Sequence, residues 1–255
     1  MLENNEIYSL LKKGGIESAR FEANQIIRAF SEDAERLAAA KRRVSGEPLQ
    51  YILGEWEFFG LTFCVGEGVL IPRADTEILV EEAIKIIGDK PLKVLDLCSG
   101  SGAVAVAVAK NTKACVTAIE KSEKAFEFLT KNIAKNNVSV KAVKGDIFDE
   151  FEGEYDLILS NPPYIETGVI PTLSKEVSHE PVMALDGGAD GLVFYKRILS
   201  YWSTKLKSGG KIAVEIGFDQ GEKVANLFSE NGFSEIQQIK DYSGNQRVII
   251  GTLNP

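Results

Sequence analysis

The residues with the most chemistry in them are Ser160-Asn161-Pro162-Pro163-Tyr164, which follow the apolar run at residues 155–159. A buried parallel strand reads as such a run, and in open α/β sheets ligands bind at the loops leaving the carboxyl ends of strands. Each proline fixes its own φ, disfavours helix for the residue before it and lacks an N–H. Asn161 is therefore held extended on a stiff rim rich in acceptors and poor in donors. The Asn161 side-chain oxygen and the Pro162 carbonyl can together accept both hydrogens of a planar NH2 group, with the Tyr164 ring for that group to lie against. The expected substrate carries an amide or an exocyclic amine. Two prolines alone would mark no more than a turn that ends a strand, so the reading depends on whether a reactive partner for the NH2 group sits nearby.

That partner is suggested by Gly100-Ser101-Gly102-Ala103-Val104-Ala105, a glycine turn between a strand and a helix. It also satisfies the G-x-G-x-x-[GA] fingerprint of dinucleotide binding, which is weak when taken alone. Glu120 ends the next strand, where a carboxylate can hold a ribose hydroxyl pair of any adenosine cofactor. Asp96 separates the alternatives. It lies four residues before the first glycine, near the helix N-terminus where a dinucleotide keeps its pyrophosphate, and would repel it. S-adenosylmethionine instead brings an ammonium and a sulfonium there. The same Asp can equally bond backbone amides of the turn. Asp146 ends a third strand, where it can accept from an adenine amino group or cap a turn. Asp96, the glycine turn, Glu120, Asp146 and Asn161 each follow a successive strand, an arrangement far less probable by chance than any one of them.

The elements that position these residues show in the periodicity. Residues 3–44 alternate apolar and charged positions at helical spacing, interrupted at Gly14-Gly15 and near Ser31, where Ser31-Glu32-Asp33 makes a helix start. This predicts a small helical domain over 1–46. Lys41-Arg42-Arg43 fit the C-terminal end of its last helix dipole. Residues 47–72 are rich in Gly, aromatic and β-branched types, including Tyr51-Ile52-Leu53, and read as a hairpin linker. Residues 73–255 form the main domain. Asp75 or Thr76 is expected to cap a helix that Gly88 stops. From residue 93 strands and helices alternate: strands at 93–97, 114–120, 138–143, 155–160 and 211–216, and helices at 103–110, 123–135, 192–206 and 220–230. The strands at 233–239 and 247–251 have too short a connection for a parallel crossover and must pair antiparallel. The fold class is α/β: a seven-stranded, mostly parallel Rossmann-like sheet with an antiparallel C-terminal hairpin, as in class I methyltransferases.

Composition bounds the function. The chain of 255 residues is 44% hydrophobic and 26% charged, with 29 Lys and Arg against 37 Asp and Glu, for a net charge of -8. No overall basic field attracts a phosphate backbone, so nucleic acid is disfavoured as a partner. The N-terminus lacks the features of a signal peptide, and no apolar run approaches the about 20 residues needed to cross a bilayer. A cytoplasmic location without membrane association is expected. Cys64, Cys98 and Cys115 show no paired spacing and are expected to be reduced and buried. His179 is the only histidine, so neither a His-based triad nor a metal site is expected.

The residues resemble a known family. Gly46-Glu47-Pro48-Leu49-Gln50-Tyr51-Ile52-Leu53-Gly54, Phe58-Phe59-Gly60, Leu70-Ile71-Pro72-Arg73-Ala74-Asp75-Thr76-Glu77, Asn161-Pro162-Pro163-Tyr164-Ile165, Glu180-Pro181 with Ala184-Leu185, and the run from Asp186 to Leu192 look like the protein-glutamine N5-methyltransferases of the HemK/PrmC type. The likeness covers residues 46–251. It implies S-adenosylmethionine as methyl donor, no metal, and the glutamine of the Gly-Gly-Gln motif in peptide chain release factors as acceptor. It further implies a helical N-terminal domain that helps to recognise the release factor. By the same resemblance the cofactor falls on Asp96, Cys98, Ser99, Gly100, Ser101, Gly102, Glu120, Asp146, Ile147 and Asn161. Asn161, Pro162, Pro163 and Tyr164 hold the glutamine, with Asn161, Pro162 and Tyr164 catalytic. The sequence departs from the family in a shorter N-terminal helical region, in Cys98 where Gly is usual, in Glu120 where Asp is commoner, and in His179 at a site that is often aromatic. The alternative use of the same loop is methylation of an amino group in nucleic acid, adenine N6 or guanine N2.

Overall fold

A computed structural model describes residues 4–254. The helices are α1 (Asn4–Lys13), α2 (Ala19–Ala29), α3 (Asp33–Val44), α4 (Leu49–Leu53), α5 (Glu77–Ile87), α6 (Ala103–Asn111), α7 (Glu123–Lys135), α8 (Val193–Ser200) and α9 (Gly221–Glu230). The strands are β1 (Glu55–Phe58), β2 (Leu61–Cys64), β3 (Lys93–Leu97), β4 (Cys115–Glu120), β5 (Val140–Lys144), β6 (Tyr155–Ser160), β7 (Leu206–Glu215), β8 (Phe233–Lys240) and β9 (Gln246–Leu253). β1 and β2 form a hairpin, and the other strands form one seven-stranded sheet in the order β5-β4-β3-β6-β7-β9-β8. β3 to β7 run parallel, while β9 pairs antiparallel with both β7 and β8, as the short 241–245 connection requires.

The central strands are buried on both faces, so they read as near-continuous apolar runs. Val94, Leu157, Leu159 and Ala213 face one core with α5 and with α6, which is apolar from Ala103 to Ala109. Leu95, Leu97, Ile158, Ile212 and Val214 face the other, against α8 and α9. A separate cluster built on Ile7, Leu11, Ala23, Ile26 and Ala40 holds α1 to α3 together and takes in Leu49 and Ile52 of α4. Tyr51-Ile52-Leu53 therefore lies in a short helix, and only residues 55–64 form the hairpin. Burial of Leu49 and Ile52 on the helical cluster overrides the β propensity of the segment.

The segment after α8 also departs from expectation. The helix ends at Ser200, a 3-10 turn covers Trp202–Lys205, and β7 begins at Leu206. Trp202 is fully buried and donates its indole N–H to the Ile147 carbonyl at 3.0 Å, which an unbroken α-helix to residue 206 would not allow. The register against β6 then shifts between Tyr155 and Leu157, an irregularity that Gly209 accommodates with a φ of 71°. All three cysteines are free, but Cys115 at the exposed start of β4 is not buried, and Cys64 and Cys98 are half-buried.

Two polar anchors join the parts. Arg43, in the last turn of α3, is buried and paired with Glu22 of α2 at 2.6 Å and with Glu176 at 3.0 Å. It thus ties the helical cluster to the loop that follows residue 164, beyond what the helix dipole alone would ask. Asn132 on α7 is fully buried. Its side chain accepts from the Cys64 N–H at 2.6 Å and donates to the carbonyls of Cys64 at 3.1 Å and Ser101 at 2.9 Å. One amide thereby fixes the hairpin against the glycine turn. Asn132→Ala would leave these backbone groups unpaired, and a loss of about 1–3 kcal/mol in unfolding free energy is expected from urea denaturation.

Candidate active site

Parallel pairing sets Leu97 of β3 and Val214 of β7 beside Ser160 of β6. The Ser160 hydroxyl donates to the Leu97 carbonyl at 2.8 Å and locks this register at the carboxyl ends. The three following residues, Cys98, Asn161 and Glu215, consequently share one edge of the sheet. The glycine turn needs left-handed backbone: Gly100 has φ 54° and Gly102 φ 81°. A Cβ on Gly102 would also stand 2.5 Å from Leu129 Cδ1. Cys98 has φ 57°, a conformation uncommon for a residue with a Cβ. Burial, aided by the nearby Glu120 and Asp96 charges, pushes its thiol up, so it stays protonated.

Glu120 holds the turn in place. It accepts from the Gly100 N–H at 2.7 Å and from the Ser122 N–H at 2.6 Å, and burial pushes its carboxyl up against these donors. Ser99 donates its N–H to the Ile119 carbonyl at 3.0 Å, and Gly102 donates to Ser99 at 2.7 Å. Asp146, just past β5, is paired with Lys121 at 2.7 Å and accepts from the Phe148 N–H at 3.1 Å, so it does cap a turn. Burial opposes its ionisation, but Lys121 and that N–H hold its carboxyl below the usual range.

A cavity of about 380 Å³ runs along this edge, bordered by Gly100, Glu120, Asp146, Ile147, Asn161 and Pro163. A smaller pocket of about 40 Å³ lies between Asp96, Ser101 and Asn161 and shares Gly100 and Cys98 with it. The expected site residues Asp96, Cys98 to Ser101, Glu120, Asp146, Ile147, Asn161 and Pro163 thus line one continuous region, while Gly102 lies outside its lining. Pro162 and Tyr164 complete the loop behind it, Pro162 buried and Tyr164 half-buried. Sequence reasoning did not anticipate the linker residues Gly68 to Leu70 or the Pro181 to Ala184 turn as walls of the cavity. Nor did it anticipate the support behind the loop. Thr76 makes no cap with its side chain, since a 3-10 turn at Ala74–Thr76 leads into α5; its hydroxyl instead accepts from Asn161 Nδ2 at 3.1 Å. Gln220 donates to the Tyr164 carbonyl at 2.9 Å, and a Cβ on Gly191 would stand 2.5 Å from that oxygen. A charged residue closing the apolar strand β7, Glu215, was the available signal.

The donor set fits a cationic nucleoside such as S-adenosylmethionine. Asp96 is 1% exposed, and its Oδ2 is buried with no hydrogen-bond partner. Burial pushes its carboxyl up to about 7, with hydrogen bonds from Ser99 and the Ala105 N–H opposing and Glu120 adding to the rise. An orphaned carboxylate oxygen beside an empty space is a place for a cation and a poor place for a pyrophosphate. Among the described residues no group of three or more His, Cys, Asp or Glu is placed to hold a metal ion, and no helix is long and apolar enough to cross a membrane.

Comparison with known proteins agrees with this geometry. Residues 74–214 match the methyltransferase small domain. The release factor glutamine methyltransferase of Fusobacterium nucleatum is 40% identical over 98% of this chain and 72% of its own length. The enzyme of the same name from Geobacter sulfurreducens is 38% identical over 99% of this chain and 100% of its own. The chain belongs to the release factor glutamine methyltransferase family. Among solved structures, a methyltransferase from Pyrococcus furiosus superposes with a TM-score of 0.59 at 26% identity, covering 84% of this chain and 98% of its own. Membership of this methyltransferase family agrees with the unpaired acceptor oxygen at Asp96.

The orphaned Asp96 carboxyl makes a pH prediction. A carboxyl raised on folding favours the folded state at low pH, and that contribution is lost as pH rises from about 4 to about 7. A cation bound beside Asp96 favours the ionised form and lowers its pKa, so binding releases a proton. Calorimetric affinity for S-adenosylmethionine should fall as pH drops below about 7, approaching tenfold per unit for one coupled proton. Asp96→Asn should flatten that slope and weaken binding at pH 8; an unchanged slope would rule out Asp96 as the linked group.

Proposed function

We propose that the protein transfers a methyl group from S-adenosylmethionine to the side-chain amide nitrogen (N5) of the glutamine in the Gly-Gly-Gln motif of peptide chain release factors, in the cytoplasm. The observation that carries this reading is the asymmetry of Asn161. Its Nδ2 is engaged by Thr76 at 3.1 Å, which leaves Oδ1 as the atom available to the cavity that Gly100 and Glu120 also border. An acceptor at this point suits a substrate that brings N–H bonds. Relatives sharing this sequence along nearly its whole length are named for the same reaction.

When bound, S-adenosylmethionine supplies an electrophilic methyl group, its sulfur keeping the electron pair of the bond that breaks. Asp96 would hold its cationic end, Glu120 the ribose hydroxyls and Asp146 the adenine amino group, with the backbone of Cys98 to Gly102 beneath and Ile147 packed on the base. An amide nitrogen is a poor nucleophile because its lone pair is delocalised into the carbonyl. Asn161 Oδ1 and the Pro162 carbonyl accept its two N–H bonds, orient the lone pair and stabilise the positive charge that grows on nitrogen. The Tyr164 ring packs against the amide plane. After a new N–C bond forms, the excess proton on nitrogen is strongly acidic and leaves to water past these acceptors. No base of its own is needed.

Asn161→Ala should lose methyl transfer at saturating cofactor by a factor of about 100 or more, as when one transition-state acceptor or donor is removed. The direct test is mass measurement of a release factor, total RNA and DNA after incubation with labelled cofactor. One methyl on the glutamine of the Gly-Gly-Gln tripeptide is expected; label only in nucleic acid would favour an amino-group methyltransferase of adenine or guanine.

A further inference from the structure

Two walls of the larger cavity come from segments far apart in the chain, the linker at Gly68 to Leu70 and the turn at Pro181 to Ala184. One buried side chain joins them. Glu180 is 4% exposed and directly precedes the turn. One of its carboxylate oxygens accepts the Ile71 N–H at 3.0 Å, and the other accepts from Arg73 in an ion pair. Ile71 is buried and lies outside any strand or helix, so its N–H has no ladder partner and depends on this oxygen. Both joined residues are followed by proline, Ile71 by Pro72 and Glu180 by Pro181, and Glu180 is extended at φ -85° and ψ 155°. A residue before proline is held extended, so the link ties two stiff stretches of chain. Tyr51 of α4 fixes the linker from behind, donating its hydroxyl to the Val69 carbonyl at 2.5 Å. Burial, with the Glu180 charge adding to it, pushes that hydroxyl up and keeps it protonated. The far end of the turn is held by the Ile165 N–H, which donates to the Leu185 carbonyl at 2.9 Å. Among the described residues no backbone hydrogen bond joins the turn to the linker wall, and residues 181–184 belong to none of the apolar clusters. Polar links therefore place the turn, and Glu180 supplies the one at the linker.

We propose that Glu180 is a positioning residue that closes the cofactor cavity, holding the turn at Pro181 to Ala184 against the linker so that a bound nucleoside leaves slowly. This inference rests on the reading that S-adenosylmethionine occupies that cavity. Glu180 does not itself line the cavity, so it acts through the walls on either side. The site presents two donors to it, one for each oxygen. A carboxylate meets both, whereas an amide has one oxygen and turns an NH2 group to the second donor. With the link broken, the Arg73 side chain is exposed enough, at 40%, to turn to water, but the Ile71 N–H is left buried without a partner. The turn then loses its hold at one end, while the sheet beneath, whose cores do not include it, keeps its packing. The same walls enclose the space beside Glu120, Asp146 and Ile147, so the loss falls on retention of the nucleoside and spares the acceptors of the substrate loop.

The test measures how fast the full chain releases S-adenosylhomocysteine and 5′-methylthioadenosine, the second of which keeps the nucleoside and lacks the amino-acid end. Glu180→Gln should speed release of both by about 10-fold and weaken calorimetric affinity to the same degree, as expected when an outer hydrogen-bond partner is lost and the change lies in dissociation. With a release factor as substrate and saturating cofactor, kcat should fall by no more than about threefold, since the loss is one of binding. Arg73→Met removes the other half of the pair at a partly exposed position and should speed release of both ligands as well; it carries the test if Glu180→Gln folds poorly. Glu176→Gln, which removes a carboxylate earlier in the same segment, should release both at the wild-type rate. Wild-type release in Glu180→Gln would overturn the proposal. So would an effect of Arg73→Met on S-adenosylhomocysteine alone, because Arg73 would then grip the amino-acid end directly. Equal losses in Glu176→Gln would overturn it too, since any loosening of the segment would suffice. If the wild-type protein binds neither ligand, the cofactor reading itself fails; binding in the wild type with unchanged release in the variants defeats this inference alone.

Discussion

The whole site depends on the register of three parallel strands. Because Ser160 lies between Leu97 and Val214, the chain leaves β3, β6 and β7 at the same level. The glycine turn, the acceptor loop and the buried carboxyl of Glu215 are then neighbours without any long side chain having to reach. A slip of one residue would turn every side chain of β6 to the opposite core. Both cores are apolar and closely filled, so that slip is strongly disfavoured, and the Ser160 hydroxyl bond to Leu97 adds a direct lock. Chemistry at this edge is thus a consequence of packing far below it.

On that frame the protein places three buried or half-buried carboxyl groups that share no cation among them. Asp96 borders the smaller pocket, Glu120 is spent on backbone N–H groups of the turn, and Glu215 is buried one residue past Val214, the neighbour of Ser160, with its Oε2 unpaired. Burial raises all three. The costs differ in meaning. Glu120 repays its burial by fixing a turn with several left-handed residues. Asp96 keeps a buried oxygen with no donor. Glu215 is buried with one oxygen unpaired. The same side-chain group differs in each place because its surroundings differ.

Much of this was readable in the sequence, and the reasons are physical. Alternating apolar runs and helix periods report burial, which is why the strand order could be narrowed to a parallel sheet with an antiparallel end. Asp96, Glu120 and Asp146 stood out because each lies at or just past the carboxyl end of a strand. What escaped was decided by tertiary contact. Tyr51-Ile52-Leu53 has strand-forming residues yet coils, since Ile52 finds a helical cluster to pack on. Trp202 ends α8 early because its indole N–H has a buried carbonyl to reach. Thr76 has the composition of a helix cap, and only the folded chain brings Asn161, 85 positions later, to its hydroxyl. The walls at Gly68 to Leu70 and at Pro181 to Ala184 come from segments whose sequence carries turn signals and nothing about which cavity they close.

The central claim is that the Asn161 oxygen and the Pro162 carbonyl grip the two hydrogens of a flat amide beside the glycine turn. The most direct measurement is a crystal structure of the protein with S-adenosylhomocysteine and a release factor carrying the Gly-Gly-Gln tripeptide. The account predicts the glutamine amide nitrogen at about 2.7–3.2 Å from both oxygens, with Asn161 Nδ2 still on Thr76. A glutamine held elsewhere, or an Asn161 amide presenting its NH2 group to the substrate, would contradict it.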